Sequence, residues 1–176
     1  MTDFAIRPAQ LSDAESLLNI YSYYVENTAI TFEYDVPSPA EFAGRIEKTT
    51  KKYPYIVAEN HEGIMGYAYA DTFKDRAAYD HCVELSIYLK NGYQGKGLGR
   101  ALYGAIEALL KNMGIINLYA CIAVTENEDE YLTNQSENFH RYLGYETVGT
   151  FRKSGRKFNR WYDMIWMEKI IGEYED

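Results

Sequence analysis

The feature that most constrains this 176-residue chain is a glycine-rich loop, NGYQGKGLGR, at residues 91–100. It lies between a strand-like run and an amphipathic segment that begins at about Gly97. Four glycines within eight residues leave the backbone free to turn several amides toward one anion. A helix N-terminus adds further amides and a positive dipole end, and Lys96 and Arg100 add charge. The loop therefore predicts a seat for a pyrophosphate group on main-chain nitrogens.

Two familiar phosphate loops fit this pattern poorly. A nucleoside-triphosphate loop needs Gly-Lys-Ser/Thr after four spacer residues, and Gly97-Leu98 stands where that continuation belongs. A dinucleotide loop follows the first strand and has an acidic residue about 20 positions later, whereas this loop follows the fourth strand-like run. A simple strand-to-helix turn stays open as an alternative, although it needs only one or two glycines.

Charge limits the partners that the chain can take. Lys and Arg number 18 and Asp and Glu number 26, so the formal net charge is −8. Such a balance argues against a broad nucleic-acid surface, which needs a basic stripe. The three histidines and the two cysteines, Cys82 and Cys121, match no metal-binding spacing. We expect no metal, no nucleic-acid partner and two reduced core thiols.

Length and hydropathy favour a single domain over residues 1–176. A chain of this size buries roughly 70% of its unfolded surface without a disulfide or metal. No apolar run approaches the length of a membrane span. Asp3 and Arg7 stand where an export signal needs an apolar core,. We therefore expect a cytoplasmic protein without a membrane segment.

Periodicity predicts a mixed α/β sheet with about four helices on its faces. Ser12 and Glu15 form a capping-box signature for a first helix, and Ser38-Pro39 starts a second that should end before Pro54. A third helix should bury the face of Leu98, Leu102, Ala105, Leu109 and Met113, and a fourth spans residues 134–143. Strands are predicted over residues 4–7, 55–59, 64–72, 82–89, 117–124, 145–152 and 161–168. The order is β-α-α-β-β-β-α-β-α-β-β.

The fourth strand contains a carboxylate that needs an explanation. Along residues 83–89 the side chains alternate, with Val83 and Leu85 on one face and Glu84 and Ser86 on the other. A carboxylate in an inner strand is costly unless it faces water, a partner or a substrate. The spacing alone fits a solvent-facing residue at least as well as a reacting group.

Several motifs together resemble the GNAT superfamily of N-acetyltransferases. The loop sequence QGKGLG at residues 94–99 is similar to the family's Gln/Arg-x-x-Gly-x-Gly signature. The resemblance extends over nearly the whole chain and is nearest to the phosphinothricin and methionine sulfoximine acetyltransferase branch. It is carried by IRPA at 6–9, YPYIVA at 53–58, GYA at 66–68, VELSIYL at 83–89, FHRYLGY at 139–145 and KFNRW at 157–161.

The resemblance implies the GNAT fold and acetyl-CoA as acetyl donor. It implies that Glu84 acts as general base, because an alkylammonium with a pKa near 10 must lose a proton before it can attack. His140 stands where the branch has a histidine proposed to be catalytic, as acid or base, although a lone histidine on such a helix is often structural. The residues implied in cofactor binding are Ile87, Tyr88 and Leu89 for the pantetheine arm, and Gln94, Gly95, Lys96, Gly97, Leu98, Gly99 and Arg100 for the pyrophosphate.

The resemblance also implies an acceptor site. The loop at residues 73–79 resembles the branch's substrate loop, so Lys74, Arg76 and Tyr79 become candidates for binding the acceptor. Arginine offers two parallel donors to a carboxylate or phosphinate. A solvated hairpin is the alternative for this loop. Phe32 and Trp161 are candidate pocket walls, although core or dimer packing explains each equally well.

Two departures bear on the transfer of these roles. The family often has an asparagine that contacts the CoA arm, and here Thr133 occupies that position while Asn134 comes one residue late. The acidic stretch at residues 126–132 is longer than the resemblance leads us to expect, and it adjoins the mouth of the site.

The function predicted from the sequence is acetyl transfer to the primary amine of a small amino-acid-like acceptor. The family makes this transfer directly in a ternary complex, and neither cysteine lies in a recognisable nucleophile motif. We expect a homodimer. Acetylation of a polyamine or a protein, or CoA binding without catalysis, are the alternatives.

Overall fold

The computed structural model describes residues 4–174. Its seven strands are β1 (Ala5–Pro8), β2 (Tyr55–Asn60), β3 (Gly63–Thr72), β4 (Cys82–Leu89), β5 (Asn117–Val124), β6 (Glu146–Lys157) and β7 (Arg160–Ile170). The four α-helices are α1 (Ala14–Asn27), α2 (Pro39–Thr50), α3 (Leu98–Asn112) and α4 (Gln135–Tyr142). The element order and the mixed α/β class predicted from the sequence are confirmed.

All seven strands form one sheet in the order β1-β2-β3-β4-β5-β7-β6. Neighbouring strands pair antiparallel, except that β4 and β5 pair in parallel. A parallel pair needs a crossover connection, and here the glycine loop and α3 supply it. The glycine loop therefore lies where the parallel β4–β5 pair interrupts the antiparallel pairing of the sheet.

Helices cover both faces of the sheet. One face packs against α3 in a cluster that includes Val83, Leu85, Leu102 and Ile106. The opposite face packs against α1 and α2 through a cluster that includes Tyr67. Alternation along β4 therefore sends Val83 and Leu85 toward α3, and sends Glu84, Ser86 and Tyr88 toward the face of α1 and α2.

The predicted cap of the first helix was wrong. Ser12 does not cap α1: it lies in a 3-10 turn, is exposed and bonds the side chain of Gln10. Asp13 precedes α1, and its carboxylate accepts the Gln10 amide at 2.8 Å and two guanidinium hydrogen bonds from Arg7. An ion pair with Arg7, six residues earlier, therefore fixes the start of α1 in place of the predicted serine.

The buried face of α3 also differs from the prediction. Leu98, Leu102, Tyr103 and Ile106 are buried, whereas Leu109 is 43% exposed and Met113 is 50% exposed. Met113 lies just beyond the last helical residue, and the face against the sheet is centred on Tyr103 and Ile106. Because the buried face of α3 is rotated relative to the predicted one, the hydroxyl of Tyr103 lies in the interior.

The last hairpin is longer than predicted. A two-residue turn at Phe158 and Asn159, both with positive φ, connects β6 to β7, and positive φ at both central residues is typical of a type I′ hairpin turn,. A register shift lies between Phe151 and Gly155. In residues 4–174, no helix combines the length and apolar character that a bilayer span requires.

Candidate active site

The centre of the molecule contains a cleft where β4 and β5 separate. Within residues 4–174 their parallel pairing is confined to three register pairs, which join residues 82–84 to residues 117–119. Beyond Glu84 both strands continue, but each is paired only with its outer neighbour. The gap is a cavity of about 60 Å³ lined by Ile30, Leu85–Tyr88, Tyr103, Ala120–Ala123, Ser136 and His140. An extended ligand can therefore meet unpaired backbone on both sides of this cleft.

The glycine loop borders the same crossover. Gly92, Gly95 and Gly97 have φ values of 87°, 73° and 82°, a region that side chains with a Cβ rarely adopt,. Gly97 is the N-cap of α3, so the first amides of that helix have no intrahelical acceptor,. Packing at Gly99 is tight, because a Cβ there would lie 3.0 Å from the ring of Phe139.

Side chains of the loop hold its conformation. Gln94 accepts the Gly92 amide at 2.9 Å and donates to the Tyr24 hydroxyl at 3.3 Å. The Tyr24 hydroxyl donates to the Leu89 carbonyl at 2.6 Å, at the end of β4. Lys96 lies over the ring of Tyr93. Gln94, although predicted to bind cofactor directly, therefore links the loop to α1 and β4.

Glu84 lies at the closed end of the cleft, on the face of α1 and α2. Burial raises the pKa of its carboxyl above the usual value, the nearby Asp71 carboxylate raises it further, and Lys74 opposes the increase. The Cys121 side chain approaches it from β5, and the surrounding protein and the charge of Glu84 raise the pKa of that thiol even though part of the residue is exposed. The prediction of two core thiols is therefore wrong for Cys121, which is exposed, whereas Cys82 is buried.

His140 is buried and hydrogen-bonded through both ring nitrogens. Nδ1 lies 2.7 Å from the Ser136 carbonyl, which can only accept, so Nδ1 carries the proton,. Nε2, 2.7 Å from the Tyr103 hydroxyl, is then the acceptor of that hydroxyl's proton. Burial lowers the pKa of His140 to about 4. The ring is therefore neutral at pH 7 and orients the Tyr103 hydroxyl at the cleft.

Only part of the predicted substrate loop is shown to lie close to Glu84. Lys74 lies close enough to act on the Glu84 carboxylate and stacks over the rings of Phe73 and Trp166 at 4.9 and 5.9 Å. Arg76 is exposed before a 3-10 turn at residues 77–79. Tyr79, in that turn, packs edge-on against Phe73. Lys74 is therefore the cation of this loop whose charge acts on the Glu84 carboxyl.

The loop between α1 and α2 forms one wall of the cleft. Ile30 lines the cavity, while Phe32 packs onto Gly155 of β6, where a Cβ would collide with its ring. The buried Lys157 donates to the Thr31 carbonyl at 2.8 Å, and burial lowers its pKa to about 8. Phe32, predicted as a pocket wall, thus helps to hold this loop against β6. Ile30 is the residue of this loop that faces the cleft.

The acidic segment between β5 and α4 is folded against the same region. Asp129 accepts amides of Tyr131 and Leu132 and pairs with Arg160 at 2.9 Å, while the Tyr131 carbonyl accepts the Ala29 amide. The Asn134 side chain bonds both the amide and the carbonyl of Thr125, so it links β5 to α4. Trp161 is 57% exposed on the outer hairpin.

Tyr103 and Cys121 are among the cleft residues that sequence reasoning missed. Tyr103 was overlooked because it interrupts an otherwise aliphatic helix face, and that interruption was its only signal. Cys121 was assigned to the core because β5 reads as a fully apolar strand. Within residues 4–174, the structure contains no group of three His, Cys, Asp or Glu side chains arranged to hold a metal.

The splayed parallel strands and the positive-φ loop at a helix N-terminus agree with the acetyl-CoA site that the resemblance to the GNAT superfamily implies. A family model for the acetyltransferase (GNAT) domain matches residues 6–166. The chain therefore belongs to the GNAT acetyltransferase family, and its fold and its acetyl-CoA-dependent transferase class, both predicted from the sequence, are confirmed.

Among its relatives, the phosphinothricin N-acetyltransferase of Streptomyces viridochromogenes is 31% identical over 90% of this chain and 83% of its own length. The L-methionine sulfoximine/L-methionine sulfone acetyltransferase of Pseudomonas paraeruginosa is 30% identical over 93% of this chain and 92% of its own. The crystal structure of a Sinorhizobium meliloti phosphinothricin acetyltransferase in complex with acetyl-CoA matches with a TM-score of 0.88 and 36% identity, over 98% of this chain and 90% of that one.

Proposed function

We propose that this protein transfers the acetyl group of acetyl-CoA to the primary amine of a small amino acid of the phosphinothricin or methionine sulfoximine type. The observation that carries the proposal is the position of Glu84, a half-buried carboxylate with a raised pKa at the end of the β4–β5 cleft. The names of the relatives support the acceptor class.

The proposed reaction is a direct transfer. Glu84 takes a proton from the acceptor ammonium, and the amine nitrogen attacks the thioester carbonyl carbon. The new C–N bond forms, the C–S bond breaks, and CoA leaves as a thiolate, which takes up the second proton that the nitrogen loses as it becomes an amide. Because a thiol has a pKa near 8.5, the thiolate needs little help to regain a proton.

His140 then has a supporting part. Since its ring is neutral and both nitrogens are engaged, we assign it the orientation of the Tyr103 hydroxyl rather than proton donation. The amides of residues 95–100 bind the pyrophosphate, and the free edge of β4 at Ile87, Tyr88 and Leu89 pairs with the pantetheine arm. Asn134 contributes by holding the β5–α4 segment that borders the arm.

The acceptor carboxylate is assigned to Lys74 and Arg76. The chain as a whole is acidic, which favours polyamines, but a diffuse surface field is screened over about 8 Å at physiological salt. Short charged hydrogen bonds keep their strength near a pocket. The local pair should therefore select an amino acid over a diamine.

A thiol-release assay with acetyl-CoA tests this assignment. Methionine sulfoximine and phosphinothricin should release CoA faster than spermidine or a peptide amine. Arg76→Ala should lower kcat/KM for the anionic amino acids. The corresponding loss of transition-state stabilisation should be about 1.5–3 kcal/mol, the range for a hydrogen bond to a charged group, and kcat/KM for diamines should not fall. Lys90→Ala, which removes an exposed cation on the loop after β4, is the matched control.

The outcomes separate the alternatives. A wild-type preference for spermidine would favour the polyamine alternative, and acetyl-CoA binding without release toward any amine would favour a binding module. Equal losses for both acceptor classes in Arg76→Ala would mean that Arg76 supports the fold.

We further propose a single-domain, cytoplasmic homodimer. The long edge strand β6 exposes Val148 and Phe151, and an exposed apolar edge strand is a ready surface for pairing,. Light scattering coupled to size exclusion should give the mass of two chains, and Phe151→Lys should reduce it to one. A wild-type mass of one chain would contradict this proposal.

A further inference from the structure

A second carboxylate lies directly opposite Glu84. In the antiparallel pairing of β3 with β4, Asp71 is the register partner of Glu84, flanked by the pairs Ala70–Leu85 and Thr72–Val83. Directly opposed residues of an antiparallel pair share a face of the sheet, with Cβ atoms about 4.5–5.5 Å apart. The two carboxylates therefore lie side by side on the same face of the sheet.

This arrangement costs stability. Like charges directly opposite one another on a sheet repel, and both residues are half-buried, where the repulsion is poorly screened,. Asp71 Oδ1 accepts the Thr72 amide at 2.7 Å, which fixes its carboxylate in place. The nearby cation is Lys74, whose effect on the Glu84 carboxyl is smaller than that of Asp71. A neutral residue at position 71 would avoid this cost.

The other groups around Glu84 do not replace Asp71 in its effect. Tyr69 on β3 is half-buried, and loss of contact with water raises the pKa of its hydroxyl to about 12, so it stays neutral. On β5, Cys121 has a thiol with a similarly raised pKa, and burial raises the pKa of Tyr119 as well. The β7 carboxylate Glu168 acts on Tyr119 and Cys82.

We propose that Asp71 is a positioning residue for the reaction, one that strengthens Glu84 as the proton acceptor for the bound ammonium. The proposal rests on the proposed function. Proton transfer is most efficient when the base has a pKa near the working pH, and a neighbouring like charge moves a carboxyl in that direction. Asp71 does this without touching the reacting atoms.

The test is Asp71→Asn, with two controls. Asp71→Glu keeps the charge, and Asp75→Asn removes an exposed charge from the following loop. In Asp71→Asn the acid limb of the kcat/KM–pH profile should move to lower pH by about one unit, and the plateau kcat should fall about three- to tenfold. The melting temperature should hold or rise, because the repulsion is gone. Asp71→Glu should stay near wild type.

A titration that needs no turnover separates this proposal from the proposed function. Carbon-13 NMR of the Glu84 carboxyl should show its midpoint at lower pH in Asp71→Asn than in wild type. An unchanged midpoint would overturn the proposal even if the enzyme acetylates amino acids. A moved midpoint in a protein that acetylates no amine would uphold the electrostatic coupling and contradict the function. A lower melting temperature with an unmoved limb would mean that Asp71 is only structural.

Discussion

Glu84 shows what can be read from single residues. Alternation along β4 predicts that its side chain points away from the α3 core. In the structure it lies on the opposite face of the sheet, toward α1 and α2. The reason it matters, the widening of the strands beyond it, depends on long-range pairing and was not predictable from local pattern. The same limit applies to Tyr103 and Asp71, whose partners His140 and Glu84 lie on other elements.

Replacing Glu84 with glutamine should separate chemistry from binding. We expect kcat to fall about 10²–10⁴-fold, with acetyl-CoA affinity nearly unchanged, because the amide cannot accept the proton. The deficit should shrink as the pH approaches the amine's own pKa, since the acceptor then arrives deprotonated. Rates measured from pH 7 to 10 decide this, and a constant deficit would make Glu84 structural.

The same variant has a predicted effect on stability. The folded-state pKa of Glu84 is raised, so the folded state binds more protons than the unfolded state between the ordinary and the raised value. The free energy of unfolding therefore falls as the pH rises through that interval. Glu84→Gln should remove this loss and melt at or above the wild-type temperature at neutral pH.

At the scale of elements, helix and strand positions followed from periodicity and turn chemistry. Ser38 caps α2 as predicted, accepting the Glu41 amide at 3.2 Å. The predicted cap at Ser12 was wrong because Arg7 draws Asp13 into a tertiary ion pair. Strand β6 was predicted too short because Ser154-Gly155 reads as a break, whereas Gly155 makes room for Phe32.

The glycine loop yields a prediction at this scale. Gly97→Val forces a β-branched residue into a φ of +82° and should distort the loop that is proposed to bind the pyrophosphate. The apparent KM for acetyl-CoA should rise tenfold or more, about 1.4 kcal/mol or above. Gly104→Val, on α3 where a Cβ meets open space, is the matched control and should leave both stability and that KM close to wild type, because valine is tolerated in a helix interior at least as well as glycine,. Unchanged cofactor affinity in a folded Gly97→Val protein would remove the loop from the cofactor site.

At the scale of the whole molecule, the proposed function uses the separation of β4 and β5 to bring an acetyl donor and an acceptor together. The glycine loop lies in the crossover that connects these two strands, and Glu84 is the last β4 residue of their parallel pairing. Motif resemblance predicted these parts. Their meeting in a cleft anchored by Lys157 and Asp129 required the folded structure.

The most direct test of the account is a crystal structure of the protein with acetyl-CoA. We predict the pyrophosphate on the amides of residues 95–100, the pantetheine arm between β4 and β5, and the thioester carbonyl near Glu84 and the Tyr103 hydroxyl. A larger depression of about 900 Å³, lined by residues that include His81, Lys111 and Tyr174, offers the cofactor a different place. Acetyl-CoA seated there, with the β4–β5 cleft unchanged, would contradict the account.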